Sequence, residues 1–281
     1  MTPKIKLAFV GCGHCLRISF GPVLPHVEGI EVVAGVDPSD EALAHARDVY
    51  GFPSGYTTLE ACLAKEKVDA VLIATPVYTH RDLAIFCAEQ GLHVLLEKPM
   101  ARTLAECDDI IEAHRKAGTV LMMAFMKRFN RTMLRVEELM QQGEIGQVMG
   151  IRHNWDWGGM EHPAFGKAWR GFLATYGGQW QGHGSHCVDL ARWWAGPVRS
   201  VNAVFDITEP GFEVENEYNV VCTHAAGARS VHMSTKFFHH ESEERYQIFG
   251  ETGTIDLKHS AGVWQYTTPY EAFIHRYGSL R

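Results

Sequence analysis

The sequence predicts an α/β chain: a doubly wound parallel sheet first, then an α+β domain with a large, mostly antiparallel open sheet. Three observations carry this. Through the first 125 residues, short β-branched runs alternate with segments of helical periodicity, the pattern of βαβ units. Those runs are apolar at nearly every position, as parallel strands covered on both faces are. From Val198 onward, strand-like runs succeed one another with little helix between them.

Taken in order, IKLAFV (5–10), IEVVAGV (30–36), DAVLIA (69–74), HVLLE (93–97) and TVLMMAF (119–125) read as strands. EALAHARDVYG, HRDLAIFCAEQG and LAECDDIIEAHRKAG read as helices, each burying one stripe and stopping at a glycine. After Phe125 come a helix in RTMLRVEELMQQG and a long strand in QVMGIRHNWDW. A Gly-rich aromatic loop comes next, then a helix within WQGHGSHCVDLARWW (180–194). SVNAVFDIT, EYNVVCTH, SVHMSTKFF, RYQIFG and GTIDLK form the strand series that closes the chain. The boundary falls near residue 125. It separates an α/β domain (1–125) from an α+β domain (126–281).

Bulk properties narrow the function. With 26 basic and 33 acidic residues the net charge is -7, and no Lys/Arg block offers a nucleic-acid footprint. No apolar run is long enough to span a bilayer, and MTPKIKLAFVGCG is too brief and Gly-broken for a signal peptide. The expectation is a cytoplasmic protein with no membrane partner. Its seven cysteines are scattered, which fits reduced thiols better than a disulfide framework.

The first strand runs into Gly11 and Gly13. In a dinucleotide (Rossmann) fold, the first such glycine makes the tight turn. The second lets the backbone approach a pyrophosphate seated on the following helix. Leu16 occupies the third glycine position. His14 and Cys15 complete the loop and join the cofactor-binding candidates. Cys12 and Cys15 form CGHC, but no second Cys/His pair stands at ligand spacing to complete a zinc site. Asp37 ends the second strand, where an acid binds the adenosine ribose hydroxyls. No Arg or Lys comes closely after it, so the pattern favours NAD over NADP. Its competing role is an acid at a helix start, beside Ser39 and Asp40. Thr75, Pro76 and His80 come after one later strand, and Glu97, Lys98 and Pro99 after the next. Ligands gather at such carboxyl ends. This lifts Lys98 above an ordinary loop lysine.

In the second half, His183, His186 and Asp189 recur every third residue, a spacing that lines one helix face. They read as an acid/base group, as metal ligands, or as polar residues bracing the helix. Two imidazoles without a clear third ligand are weak evidence for a metal, so none is expected. Trp155, Asp156, Trp157, Gln179, Trp180 and Gln181 offer aromatic faces beside amides and an acid, which suit a carbohydrate-sized ligand or simply a sheet core. Arg128 is a candidate for a substrate contact or an ion pair.

Together Gly11-x-Gly13, Asp37, ATP…H (74–80), EKP (97–99), FMKRF (125–129) and GSHCVDLARWW (184–194) are similar to the Gfo/Idh/MocA oxidoreductases. That resemblance implies hydride transfer between NAD(P) and a hydroxyl-bearing carbon of a sugar, sugar derivative or cyclitol. It implies Lys98 near nicotinamide and substrate hydroxyl, His186 as proton shuttle, and a homodimer or homotetramer assembled through the open sheet. Sugar and inositol dehydrogenases of the family usually carry an acid four residues before the histidine. Here that position is Gly182, and His183 beside it is the candidate substitute. Two other readings are carried. One is a lyase or glycosidase that uses NAD in a transient oxidation–elimination–reduction cycle. The other is a cofactor-binding sensor without catalysis. Family members also commonly extend beyond the point corresponding to Arg281, so part of the usual second domain is expected to be missing or supplied by another subunit.

Overall fold

The computed structural model describes residues 3–156, 171–208, 210–235, 243–260 and 270–277. The chain divides into two compact units, 1–124 and 125–281. In the first unit a six-stranded parallel sheet runs in the order β3-β2-β1-β4-β5-β6. Its strands are β1 (Ile5–Val10), β2 (Ile30–Val36), β3 (Gly55–Tyr56), β4 (Ala70–Ile73), β5 (His93–Leu96) and β6 (Leu121–Met123). The helices are α1 (Asp40–Tyr50), α2 (Leu59–Leu63), α3 (His80–Glu89) and α4 (Leu104–Ala117).

Period-two alternation divides each strand between two cores. Ala8, Val10, Ile73, Val94 and Leu96 pack with Ala84, Cys87 and Ile110 of α3 and α4. Leu7, Phe9 and Leu72 face the other way, onto Leu16, Ala42, Ala46 and Phe52. Each large side chain buried this way contributes about 1.5–3 kcal/mol relative to exposure. Ser39, Thr58 and Thr103 cap α1, α2 and α4 by accepting from Ala42, Ala61 and Glu106 N–H groups. Ser39, not Asp37, is therefore the cap of α1.

The helix expected after the glycine loop is short. Helical residues run only from His14 to Phe20, and the last turn is π-type, with Gly21 N–H donating to Leu16 O at 2.7 Å. Pro22 is the reason. It has no N–H to donate to a carbonyl of the preceding turn, and its ring crowds that carbonyl.

In the second unit a seven-stranded sheet runs β13-β12-β11-β7-β10-β9-β8. The strands are β7 (Val148–Asp156), β8 (Val198–Asp206), β9 (Glu217–His224), β10 (Arg229–Thr235), β11 (Glu243–Gly250), β12 (Gly253–Ser260) and β13 (Glu271–Arg276). Its pairings are antiparallel except β10 with β7. Met133 and Val136 of α5 (Arg131–Gln141), with Leu190, Ala191 and Trp194 of α6 (Ser185–Ala195), cover the inward residues Ile151, Tyr246, Ile248 and Leu257. Outward positions such as Val204, Val231 and Phe273 are exposed. No described helix is long and apolar enough to cross a membrane.

Three elements go beyond the sequence reading: β3, α2 and β13. The first two, of two and five residues, are too short for a periodic pattern to repeat. β13 is an edge strand with no buried residue, so EAFIHR carries little contrast between its faces.

Candidate active site

The parallel sheet brings the N-terminal candidates together. β2, β1, β4 and β5 are consecutive neighbours, so Asp37, the Gly11–Cys12 turn, Thr75 and Lys98 all lie just past carboxyl ends along one edge. Gly11 has φ +97, and a Cβ built there would lie 2.6 Å from Ala74 O. Only glycine satisfies that turn. A Cβ at Gly13 would meet nothing within 4 Å, so the backbone there faces open space. The Asp37 carboxylate accepts from Cys12 N–H and Ser39 N–H, both at 2.9 Å, and is thereby fixed beside the loop. These features fit a dinucleotide: a bare backbone for the pyrophosphate and an oriented acid for a ribose. His14 is exposed and Cys15 half-buried on the same loop. Cys12 is buried, and burial, with Asp37 adding, pushes its thiol up to about 12.

His80 is 1% exposed and ties two of these loops together. Its Nε2 lies 2.9 Å from Thr75 O and its Nδ1 3.0 Å from Pro99 O. Burial moves its pKa down, while the two carbonyls pull the other way. A neutral ring donates to one of them. His80 is thus a brace for the segments bearing Thr75, Pro76 and Lys98. Thr79 Oγ1 donates to Thr75 Oγ1 at 2.7 Å. Lys98 is half-buried and its peptide to Pro99 is cis. Lys98 N–H donates to Glu97 Oε2 at 2.9 Å, and burial raises the Glu97 pKa.

Two mutations separate these roles. Gly11→Ala is expected to destabilise the fold by about 1–3 kcal/mol through backbone strain and the clash with Ala74. Gly13→Ala is expected to leave the melting temperature unchanged yet weaken NAD binding, because its methyl group fills the approach to the loop. Thermal melts and NAD titrations of both variants check this.

In the second unit the helix begins with π-type turns at Trp180–Gly184 and continues as α6. The three residues read as one face do not converge. His183 Nδ1 lies 3.0 Å from Tyr218 Oη, and its ring stacks on Trp155 at 3.5 Å. His186 is 4% exposed and packs edge-on to Phe125. Asp189 accepts from Arg128 Nε and Nη2 at 2.6 and 2.7 Å, a bidentate pair. Asp189 therefore orients Arg128. Among the described residues, the groups close enough to hold an ion are others than His183, His186 and Asp189.

The substrate candidates divide. The Arg128 guanidinium fork is committed to Asp189 and lies over the Trp193 ring. Trp155 is 6% exposed against His183, a core position. Trp180 is half-buried and edge-on to Tyr218. Trp157 lies outside the described residues. At Gly182, a Cβ would meet Tyr176 Oη at 1.8 Å. The tyrosine hydroxyl occupies the space that the acid of the resembling dehydrogenases would need.

Sequence reasoning missed a buried polar cluster beneath α6. Lys127 Nζ donates to Glu244 Oε1 in a very short contact. Tyr246 Oη donates to the same oxygen at 2.8 Å and Tyr270 Oη to Oε2 at 2.5 Å. His153 Nε2 stands 3.0 Å and His183 Nε2 3.6 Å from Glu244 Oε1. Burial alone would raise the Glu244 pKa, but Lys127 and the two histidines hold it well below the usual carboxylate range. Burial, with Lys127 adding, drives the His183 pKa well down. For His153 burial is opposed by Cys187 and Glu244, which carry it up to about 9. One signal was available: His153, Trp155, Glu244 and Tyr246 are polar or aromatic at inward strand parity.

The chain belongs to the Gfo/Idh/MocA oxidoreductase family. Residues 5–125 match its NAD-binding Rossmann fold and residues 133–256 its C-terminal domain. It is 27% identical to 4-carboxy-2-hydroxymuconate-6-semialdehyde dehydrogenase of a Sphingobium species, over 78% of this chain and 70% of that protein. It is 29% identical to levoglucosan dehydrogenase of Pseudarthrobacter phenanthrenivorans, over 72% of this chain but only 53% of that one. The crystal structure of the WlbA dehydrogenase from Bordetella pertussis in complex with NADH and UDP-GlcNAcA superposes with a TM-score of 0.82. It covers 95% of this chain and 83% of that one at 29% identity.

Proposed function

We propose that this oxidoreductase oxidises a secondary hydroxyl of a sugar, sugar derivative or cyclitol with NAD, or runs the reverse reduction. The observation that carries this is the row Asp37, Gly11–Cys12, Thr75 and Lys98 at neighbouring strand ends, a dinucleotide cradle with a lysine at its far end. Gly11, Gly13 and Asp37 hold the cofactor. NAD, when bound, takes or returns the hydride. Oxidation also removes a proton from oxygen, so a base must reach the hydroxyl. Lys98 donates a hydrogen bond to the substrate oxygen and stabilises the developing alkoxide. His186 takes up the proton. His183 acts as an uncharged neighbour that orients the site. The levoglucosan and WlbA relatives support a carbohydrate-class substrate, and the open outer face of the second sheet supports a homo-oligomer.

NADH formation by the purified protein with NAD and a panel of aldoses, polyols, inositols and nucleotide-linked uronic acids tests this reading. The expected result is substrate-dependent NADH absorbance. Bound NAD with substrate turnover but no net NADH points instead to the oxidation–elimination–reduction cycle. Bound NAD and no turnover of any kind would sink the proposal.

A further inference from the structure

Beneath α6, three side chains meet that the hydride-transfer chemistry does not use. His153 of β7 and His232 of β10 are register partners on adjacent strands, and both face inward. Cys187 descends on them from α6. All three are 0% exposed. Each offers a donor atom within 4.8 Å of the other two. A helix-on-sheet contact needs apolar packing, so two imidazoles and a thiol converging there require another reason.

The geometry supplies one. Cys187 Sγ is 3.4 Å from His153 Nε2. A tetrahedral zinc with Zn–S of about 2.3 Å and Zn–N of about 2.0–2.1 Å sets its sulfur and nitrogen ligands roughly 3.6 Å apart. His232 Nε2 is anchored on Ser230 Oγ at 2.9 Å, and that hydroxyl is itself 2.9 Å from His224 Nε2. The opposite nitrogen, His232 Nδ1, is buried without a hydrogen-bond partner. One ring nitrogen held and the other open is how ligating histidines are oriented. We propose that the second unit binds a borderline-soft divalent cation, of the zinc class, on Cys187 Sγ, His153 Nε2 and His232 Nδ1.

The neighbouring trio, His183, Cys187 and Glu244, is also close enough to hold an ion. Its donors are already engaged: His183 Nδ1 with Tyr218, and Glu244 with Lys127, Tyr246 and Tyr270. In the first trio His153 Nε2 also stands 3.0 Å from Glu244 Oε1, a contact the cation would displace, while His232 Nδ1 is unused. A thiolate with two imidazoles selects zinc, cobalt or copper over magnesium or calcium. Cys187 gives up its proton on binding, and Glu244 beside His153 supplies further negative charge. The sequence spacing did not show this site because its ligands are spread over 80 residues, from His153 to His232, on three elements.

Cobalt(II) titration of the untagged, chelator-treated full chain tests the site without reference to activity. The expected result is a near-ultraviolet thiolate-to-cobalt charge-transfer band that saturates at one equivalent and is displaced by zinc. Cys187→Ser is expected to lose the band while keeping the wild-type melting temperature. His232→Gln is expected to weaken binding by at least about tenfold. Cys62→Ser, at a buried cysteine of the first unit, and His183→Gln are expected to keep the band. No band in the folded wild type, or a band that survives Cys187→Ser, overturns the proposal. Loss in His183→Gln with none in His232→Gln overturns this ligand set.

Discussion

Lys98→Ala is expected to lower kcat by about 100- to 10,000-fold while leaving NAD affinity within about threefold of wild type. The separation arises from where each function sits. The pyrophosphate loop and Asp37 lie beside β1 and β2, and the Asp37 carboxylate is held by Cys12 N–H and Ser39 N–H. Lys98 stands just past β5, two strands along the sheet from β1. On the proposed mechanism, removing it takes away the charge that stabilises the developing alkoxide, an interaction stronger in the transition state than in the ground state. Such a loss lowers kcat and kcat/KM together. Lys98→Arg is expected to recover little. A planar guanidinium cannot replace a compact ammonium at a point contact, and it does not give up a proton. Steady-state kinetics beside NAD titration separates the two effects. A variant with near wild-type kcat would remove Lys98 from the chemistry and leave it a cofactor contact.

Why Lys98 was legible from sequence, and its buried counterparts were not, has a physical basis. Parallel strands covered on both faces are apolar throughout, so their ends are sharp. The residues just past those ends, Gly11, Asp37, Thr75 and Lys98, land on one edge of the sheet whatever the loops do. The open sheet gives no such rule. His153, His232 and Glu244 sit at inward positions of strands whose order, β11-β7-β10, differs from their order along the chain. Lys127 and Glu244 are 117 residues apart. Cys187 looks like core because it lies on the apolar stripe of α6, and core it is, though beside polar neighbours. The periodicity that set His183, His186 and Asp189 on one face assumed a regular α-helix. The π-type turns at Trp180–Gly184 alter that phase, and Arg128 draws Asp189 to its own side.

Lys127→Met is expected to destabilise the protein by about 3–5 kcal/mol, the cost of leaving a buried carboxylate without its cation. Glu244 is 8% exposed and cannot reach bulk water to compensate. Glu244→Gln in the same background removes the orphaned charge and keeps the side-chain shape, with an amide still able to meet Tyr246 and Tyr270. The double variant is therefore expected to be more stable than Lys127→Met alone. A coupling of that sign marks a pair whose removal is cheaper than its breaking. The pH dependence gives a second reading of the same pair. In the folded state the Glu244 pKa lies well below its ordinary 4.5. The unfolded chain thus binds a proton that the folded chain refuses. The stabilisation is full above about pH 4.5 and is lost as the pH falls through the folded value. Denaturant melts of the wild type are expected to lose this component in acid, and the double variant to lack it. Equal destabilisation in the single and double variants would mean that Tyr246, Tyr270 and His153 hold the carboxylate unaided, with Lys127 contributing only its buried stem.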